Sequence, residues 1–338
     1  MSTELNDLLT IATEAHEKEE YTNEIGLLEE ALAYTTNAME KASILEKIGN
    51  GYYLLDRSQD AKNRYLSVLG ILSELDETEK KERMCSVSNR LGAVFFDEDN
   101  YREALSWKLK ALECIDSLDL KNAFLLLVTI GVNNEKLGNY DEAAVFYHRA
   151  LSTKGIEESD IAMVNKFLGQ CYDKLGEKQK AFEYYNKTLT IDPNYDSDWY
   201  FFYRVAELAY ELNDYKVSKE FFLKTLEWLP SSERAYLKGC HKYLGFIHLA
   251  EGKYRDVLSE FKQLLKTEPD TSAWRGVIYV GMAQAYFSMG RPRSAINYAR
   301  KALTEELNDI FKEKIDFILA KAYLLLSRSG TSYIPPVK

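Results

Sequence analysis

The stretch "EKLGNYDEAAVFYHRAL", from Glu135 to Leu151, places a glycine and a short polar turn in front of an apolar, helix-like segment. A glycine-rich turn that opens a helix is one way to bind phosphate, because the first N–H groups of the helix are unpaired and point at the ligand. A short turn of the same kind also joins two antiparallel helices. The rest of the chain decides between these interpretations.

The stretch recurs five times in varied form. The copies are "FDEDNYREALSWKLKAL" (96–112), "KLGEKQKAFEYYNKTL" (174–189), "ELNDYKVSKEFFLKTL" (211–226), "AEGKYRDVLSEFKQLL" (250–265) and "SMGRPRSAINYARKAL" (288–303). The turn itself varies among Gly-Glu-Lys, Asn-Asp-Tyr and Gly-Arg-Pro, which weakens the phosphate interpretation. We therefore expect a helix-joining turn in which Gly138 ends the first helix in a left-handed conformation.

A second segment precedes each turn and carries a small residue directly after a large apolar one. These small residues lie 37 to 43 positions apart, at Ala12, Gly49, Gly92, Gly131, Gly169, Ala206, Gly245 and Ala283. A glycine in the middle of a helix costs about 1 kcal/mol in helix propensity, so its recurrence at one register needs compensation. We expect a neighbouring helix to approach so closely there that no Cβ fits.

The spacing within one repeat carries a family resemblance. In the fifth repeat the pattern is formed by Leu168, Gly169, Tyr172, Ala181, Tyr185, Thr188 and Pro193. It resembles the tetratricopeptide repeat, whose usual period is about 34 residues. The longer period here is similar to arrays in bacterial peptide-pheromone receptors and in eukaryotic motor and polarity adaptors.

The resemblance implies an all-α fold, a right-handed superhelix of about eight helix-turn-helix repeats with a C-terminal capping helix. Residues 1–327 are predicted to form one such solenoid, and residues 328–338 a flexible tail that is also able to occupy a groove. The predicted repeats lie near 5–38, 42–75, 85–118, 124–157, 162–195, 199–232, 238–271 and 276–309, with the cap at 310–327.

Composition narrows the class of partner. The formal net charge is -10, which disfavours nucleic acid and anionic membranes, since both require clustered Lys and Arg. The N-terminus lacks the pattern of a secretory signal, and no apolar run of membrane-spanning length occurs. The four cysteines form no CxxC pair and indicate a reducing compartment. We expect a cytoplasmic protein.

No catalytic signature occurs in the chain. The sequence lacks GxxxxGK[ST], GxSxG, HExxH and CxxC, so we predict no enzyme activity and assign no catalytic, cofactor-binding or metal-binding residue. His241 and His248 share a helical face, but no further ligands are spaced to complete a metal site. They are interpreted as packing residues.

In the related repeats, a concave groove is lined by first-helix residues that lie off the core stripe. Transferred to this chain, that rule gives a candidate peptide groove of Arg90, Lys166, Phe167, Gln170, Tyr203, Arg204, Glu207, Lys242, Tyr243 and Phe246. The cations among them would suit an acidic or C-terminal segment, and the aromatics its apolar side chains. The carboxylate clamp of chaperone-binding tetratricopeptide domains is matched only approximately by Lys166 and Gln170, and not in the next two repeats.

The function that this pattern favours is a non-enzymatic scaffold or adaptor that binds a peptide segment of a partner protein. The alternative is a peptide-sensing regulatory protein whose superhelix changes curvature when a ligand binds.

Overall fold

The computed structural model describes residues 3–195, 198–267 and 274–328. Within these residues the chain forms seventeen α-helices and two short 3₁₀ turns, and no strand. Helices α1 to α16 form eight sequential pairs and α17 follows the last pair. The predicted all-α class, with eight helix pairs and a final helix, is confirmed. The tail predicted at 328–338 lies outside the described residues beyond Arg328.

The chain divides into two compact units, Met1–Pro193 and Asn194–Lys338. Unit 1 contains repeats one to five. Its helices are α1 (Thr3–Glu17), α2 (Tyr21–Ala31), α3 (Ala38–Leu54), α4 (Ser58–Ser73), α5 (Glu77–Asp97), α6 (Tyr101–Leu112), α7 (Leu120–Lys136), α8 (Tyr140–Leu151), α9 (Glu158–Lys174) and α10 (Lys178–Ile191).

Unit 2 contains repeats six to eight and the last helix. Its helices are α11 (Trp199–Glu211), α12 (Tyr215–Trp228), α13 (Arg234–Ala250), α14 (Tyr254–Thr267), α15 (Trp274–Ser288), α16 (Pro292–Leu303) and α17 (Asp309–Arg328). In both units each odd-numbered helix from α1 to α15 packs on the even-numbered helix that follows it, and each pair packs on the next pair within the unit.

One backbone conformation joins the two helices of all eight pairs. A residue with positive φ ends each first helix, and the next N–H donates to the carbonyl five residues back, as Asn139 does to Asn134 at 2.9 Å. The positive-φ residues are Glu19, Asp56, Asp99, Gly138, Gly176, Asn213, Gly252 and Gly290. Gly138 has φ 80°, so its predicted left-handed conformation is confirmed. The turn geometry persists where the glycine does not.

Four of the five recurrent mid-helix glycines, Gly49, Gly131, Gly169 and Gly245, face aromatic rings of their own repeat. A Cβ on Gly131 would overlap the ring of Tyr147, and a Cβ on Gly169 would overlap the ring of Tyr185. Both rings are fully buried. The predicted close approach is therefore confirmed, and it is made by a side chain of the second helix. The lost helix propensity is compensated by buried aromatic area.

Helix α17 packs on α15 and α16 and buries Ile315, Ile318 and Ala322. The polar residues Lys312, Asp316 and Lys321 of this helix are exposed. The outer face also carries apolar side chains at a seven-residue spacing, Ile310, Phe317 and Leu324.

Candidate binding site

All ten residues of the predicted peptide groove lie on the first helix of a repeat. Four belong to unit 1, with Arg90 on α5 and Lys166, Phe167 and Gln170 on α9. Six belong to unit 2, on α11 and α13, and these are Tyr203, Arg204, Glu207, Lys242, Tyr243 and Phe246. Because each unit is a separate compact body, their side chains are described separately.

In unit 2 the carboxylate of Glu207 joins residues of two helices. Arg204 donates to Glu207 Oε2 from one turn earlier on α11, and the Tyr243 hydroxyl donates to Oε1 from α13 at 3.2 Å. The Tyr203 hydroxyl also interacts with this carboxylate. We call Tyr203, Arg204, Glu207, Lys242 and Tyr243 the Glu207 cluster. Within this cluster Arg204 forms an ion pair with Glu207. The carboxylate therefore offsets the positive charge for which the sequence analysis expected an acidic ligand.

Burial and the nearby carboxylate act in the same direction on the tyrosines of this cluster. Desolvation first, and then the charge of Glu207, raises the pKa of Tyr203 and of Tyr243 above the usual range, so both remain hydrogen-bond donors at neutral pH. Tyr243 also stacks on Phe222, with ring centroids 4.9 Å apart and planes 11° apart. These contacts fix the ring on α13 between apolar packing and a hydrogen bond.

Lys242 occupies an aromatic environment. Its Nζ lies 3.9 Å from the ring centroid of Tyr243 and 4.3 Å from that of Trp274. Desolvation lowers the pKa of Lys242, and the charge of Glu207 opposes this effect. The ammonium group is thus held against two rings, one of which belongs to the Glu207 cluster.

A glycine permits the close contact between α11 and α13. A Cβ on Gly239 would overlap the hydroxyl of Tyr203. Tyr203 then meets Tyr236 edge-on, with ring centroids 5.0 Å apart, and Tyr236 meets Trp199 at 4.8 Å. This aromatic group continues to Tyr200, which is 46% exposed. The face of these two helices thus combines charge with accessible aromatic surface.

The candidates on α9 in unit 1 make mostly apolar contacts. Phe167 stacks on Tyr147 with ring centroids 5.4 Å apart, and it packs against the core formed by repeats four and five. Lys166 and Gln170 are half-buried on the same helix. Phe246 in unit 2 is similar to Phe167, since it meets the buried ring of Phe261 edge-on. Both phenylalanines therefore contribute to packing.

Arg90 lies beside a buried carboxylate of the preceding repeat. Its Nε is 3.4 Å from Glu46 Oε1, and Glu46 also accepts from Arg83 and from Ser86 Oγ, the latter at 2.7 Å. The side chain of Arg90 remains 43% exposed. Two guanidinium groups thus share one carboxylate.

A pocket of about 470 Å³ beside Arg90 was not anticipated from the sequence. Residues of α3, α5 and α7 line it, together with Tyr65 of α4 and Lys108 of α6, and we call it the Lys108 pocket. Lys108 is only 3% exposed. Sixteen residues after the small residue of each repeat, the other repeats carry Leu28, Tyr65, Tyr147, Tyr185, Phe222, Phe261 and Ala299, whereas repeat three carries Lys108. This difference was visible in the sequence.

The two histidines of α13 and the four cysteines are all at least partly buried. His248 is buried, and His241 Nδ1 lies 2.6 Å from Glu260 Oε2. All four cysteines are free and buried. No group of three or more potential metal ligands occurs in the part of the chain that the structure describes. Among the described helices, none combines the length and apolar character that crossing a membrane requires.

Helix pairs with one recurrent turn, joined in sequence and presenting first-helix faces, define an all-α repeat protein. Two segments, 165–195 and 277–309, match models of the tetratricopeptide repeat. They correspond to repeats five and eight. The chain therefore contains tetratricopeptide repeats in these two segments.

Known proteins share parts of this architecture. Over 113 residues the chain is 29% identical to the anaphase-promoting complex subunit CDC16 of Saccharomyces cerevisiae. The matched segment is 33% of this chain and 13% of that protein. This chain thus spans a small part of that relative.

Solved structures extend the likeness in fold. The C-terminal part of a tetratricopeptide repeat-containing protein from Cytophaga hutchinsonii has a TM-score of 0.58 at 16% identity, covering 81% of this chain and 99% of that one. A signal transduction ATPase with a tetratricopeptide repeat sensor, from Pyrococcus horikoshii, has a TM-score of 0.57 at 19% identity, covering 90% of this chain and 44% of that one.

Proposed function

We propose that this protein is a non-enzymatic scaffold that binds a peptide segment of a partner protein on the first-helix faces of its repeats. Tetratricopeptide arrays generally support protein–protein interaction and are typically non-enzymatic. The observation that supports a peptide as the ligand, and the first-helix faces as its site, is the Glu207 cluster. The four free, buried thiols are consistent with a reducing compartment, and we propose the cytoplasm.

The Glu207 cluster has the chemistry that peptide recognition requires. Charge, hydrogen-bonding groups and aromatic rings lie together on two adjacent helices, and the helices hold them in fixed positions. Tyr and Arg are the residue types that most often dominate binding energy, because they combine large contact area with directional donors. A bound segment would contact the partly exposed Arg204, Lys242 and Tyr243 and gain apolar area from the aromatic group around Tyr236.

The ion pair inside the cluster changes the ligand that it favours. Arg204 and Glu207 already neutralise each other, and Lys242 lies against two rings. A segment with both polar and apolar side chains therefore fits this face, and strong negative charge is not required of it.

A peptide library tests the proposal. Random dodecapeptides are screened against the full chain, and hits are measured by fluorescence anisotropy with the wild type, Arg204→Ala and Tyr243→Ala. Lys216→Ala, which removes an exposed charge from α12, is the matched control. We expect saturable hits that lose at least about tenfold in affinity in the first two variants and keep it in the control. Hits that bind all variants equally would place the site elsewhere, provided that circular dichroism shows equal helix content.

A further inference from the structure

Lys108 occupies a position where the other repeats pack an apolar side chain. A Cβ on Gly92 would lie 2.6 Å from Lys108 Cγ, so the lysine stem follows the path that the Tyr65 ring takes over Gly49 in the preceding repeat. The stem therefore replaces the ring in packing. The ammonium group is carried beyond the ring position, to the wall of the Lys108 pocket.

Among the residues that the structure describes, the ammonium group contacts neutral partners only. Lys108 Nζ lies 3.3 Å from Asn89 Oδ1 and 3.2 Å from Thr129 Oγ1. No carboxylate oxygen of the described residues lies within ion-pair distance of Nζ. A buried charge is costly unless it is paired, and an ammonium group has three N–H donors, of which these contacts use two. One donor is left for a guest.

Asn89 supplies a second donor beside the first. Lysine cannot accept a hydrogen bond, so the side chain of Asn89 must present its oxygen to Nζ, and its Nδ2 then lies on the other branch of the same amide. Nδ2 has no hydrogen-bond partner among the described residues. Two adjacent donors, one charged and one neutral, match the two oxygens of a carboxylate.

The surroundings favour one negative charge. Arg90 lines the same pocket, but its positive charge is already paired with the carboxylate of Glu46. Glu82 also lines the pocket, and it repels a dianion more strongly than a monoanion. Lys108 therefore provides the one cationic head, among the described lining residues, that no carboxylate contacts.

From this geometry we propose that the Lys108 pocket binds a carboxylate group, held by the ammonium of Lys108 and the amide of Asn89. The site goes beyond the proposed function, because a small carboxylate would bind there whether or not unit 2 binds a peptide. The group belongs either to a free small acid or to an acidic side chain or C-terminus of a peptide. The chemistry is the same, and the probes below separate the sources.

The pH dependence of binding is distinctive. Desolvation lowers the pKa of Lys108 to about 8, with the charge of Asp97 opposing the shift, so the ammonium loses its proton well before an ordinary lysine. The pKa of Cys85, Tyr53 and Tyr65 is raised to about 12 by burial, so these groups stay neutral up to pH 10. The other charged groups near the pocket are carboxylates and guanidinium groups, and these are Glu46, Glu82, Asp97, Arg83 and Arg90.

The test is a titration of the full chain at low salt with four probes. They are propionate, Ac-Ala-Glu-Ala-NH₂, Ac-Ala-Ala-Ala-OH and the uncharged control Ac-Ala-Gln-Ala-NH₂, each followed by chemical shifts of labelled lysine side chains. Lys108→Met removes the charge and keeps a linear stem, and Lys110→Met removes an exposed charge from the same helix. We expect at least one carboxylate probe to bind, the glutamine probe not to bind, and Lys108→Met to lose at least about tenfold in affinity while Lys110→Met keeps it. Which carboxylate binds identifies the source.

Binding to the wild type should also weaken about 25-fold between pH 7.5 and pH 9.5, because the fraction of protonated Lys108 falls by that factor. This result does not depend on any variant folding. The proposal is overturned if no carboxylate probe binds the wild type, if Lys108→Met binds as well as Lys110→Met, or if affinity is independent of pH across this range. If Lys108→Met no longer binds the carboxylate probe but still binds a peptide on unit 2, the carboxylate site and the proposed peptide site are separate.

Discussion

Lys108 in unit 1 and Phe222 in unit 2 occupy the same position of their repeats, sixteen residues after Gly92 and Ala206. Both are almost completely buried. Phe222 stacks on Tyr243 and supports the Glu207 cluster, in which a carboxylate is surrounded by donors. Lys108 instead brings a cation into a pocket in which its contacts with the described residues are all neutral. One position of the repeat thus serves packing in one unit and charge in the other.

The difference shows how a repeat acquires a site without losing its fold. The register needs a side chain that covers the small residue of the first helix, and the methylene groups of lysine do this as an aromatic ring does. The polar end is then free to vary. In unit 2 the ring is closed over by Tyr203 and Tyr243, whereas in repeat three the ammonium lies at the wall of a pocket.

Phe222→Ala should have the largest effect on stability. The ring is fully buried between Tyr203 and Tyr243, so its removal leaves a cavity and should lower the free energy of unfolding by about 3–5 kcal/mol. Urea unfolding followed by circular dichroism measures this. If the free energy of unfolding fell by only about 1 kcal/mol, which is typical of point mutations in general, the ring would not be needed at this position.

Lys108→Met should have the opposite sign. The variant removes a buried charge for which the described part of the chain offers no ion pair, and it keeps the stem, so it should raise the free energy of unfolding by about 1–3 kcal/mol at pH 7. Lys110→Met should change it by less than about 0.5 kcal/mol. Equal destabilisation by both variants would contradict the account.

The gain from Lys108→Met should depend on pH. The folded chain holds Lys108 with a pKa of about 8 against 10.5 for an unperturbed lysine, so the unfolded state binds more protons between these values. The penalty is therefore fully present below pH 8 and disappears as the pH rises to about 10.5. The difference in unfolding free energy between the variant and the wild type should shrink over this window, and a constant difference would refute the assignment.

Gly169→Ala and Gly92→Ala each add a methyl group, next to a rigid aromatic ring in the first case and next to a flexible lysine stem in the second. The new methyl group meets the buried ring of Tyr185 in the first case and the lysine stem in the second. After the gain in helix propensity, we expect Gly169→Ala to destabilise by about 1–2 kcal/mol and Gly92→Ala by roughly 1 kcal/mol less. Thermal unfolding ranks them, and the reverse order would mean that the lysine stem cannot move.

Tyr243→Phe should have the smallest effect. It removes one hydrogen bond to Glu207 and keeps the stacking on Phe222, which should cost about 1 kcal/mol. Tyr254→Phe, for which the described residues offer no hydroxyl hydrogen bond, is the control and should change stability by less than about 0.5 kcal/mol. If Tyr243→Phe lowered the free energy of unfolding no more than Tyr254→Phe does, the Tyr243 hydroxyl would not contribute to the Glu207 cluster.

The sequence predicted the fold because the small residues, the turns and the apolar spacing all repeat, and each has a local physical cause. It located the first-helix residues correctly but not their partners. That Glu207 neutralises Arg204 and that Phe167 packs on Tyr147 depends on side-chain directions, which spacing alone does not give. The shared pattern of the repeats does not reveal Lys108, because this residue is the exception to that pattern.

The pKa of Lys108 tests the central claim most directly. A titration of ¹³Cε shifts in lysine-labelled protein, with the Lys108→Met spectrum as assignment, should give a pKa of about 8 in the folded chain. A value near 10.5, equal to that of the exposed lysines, would contradict the account, because the ammonium would then be solvated or ion-paired rather than held in the pocket by neutral groups.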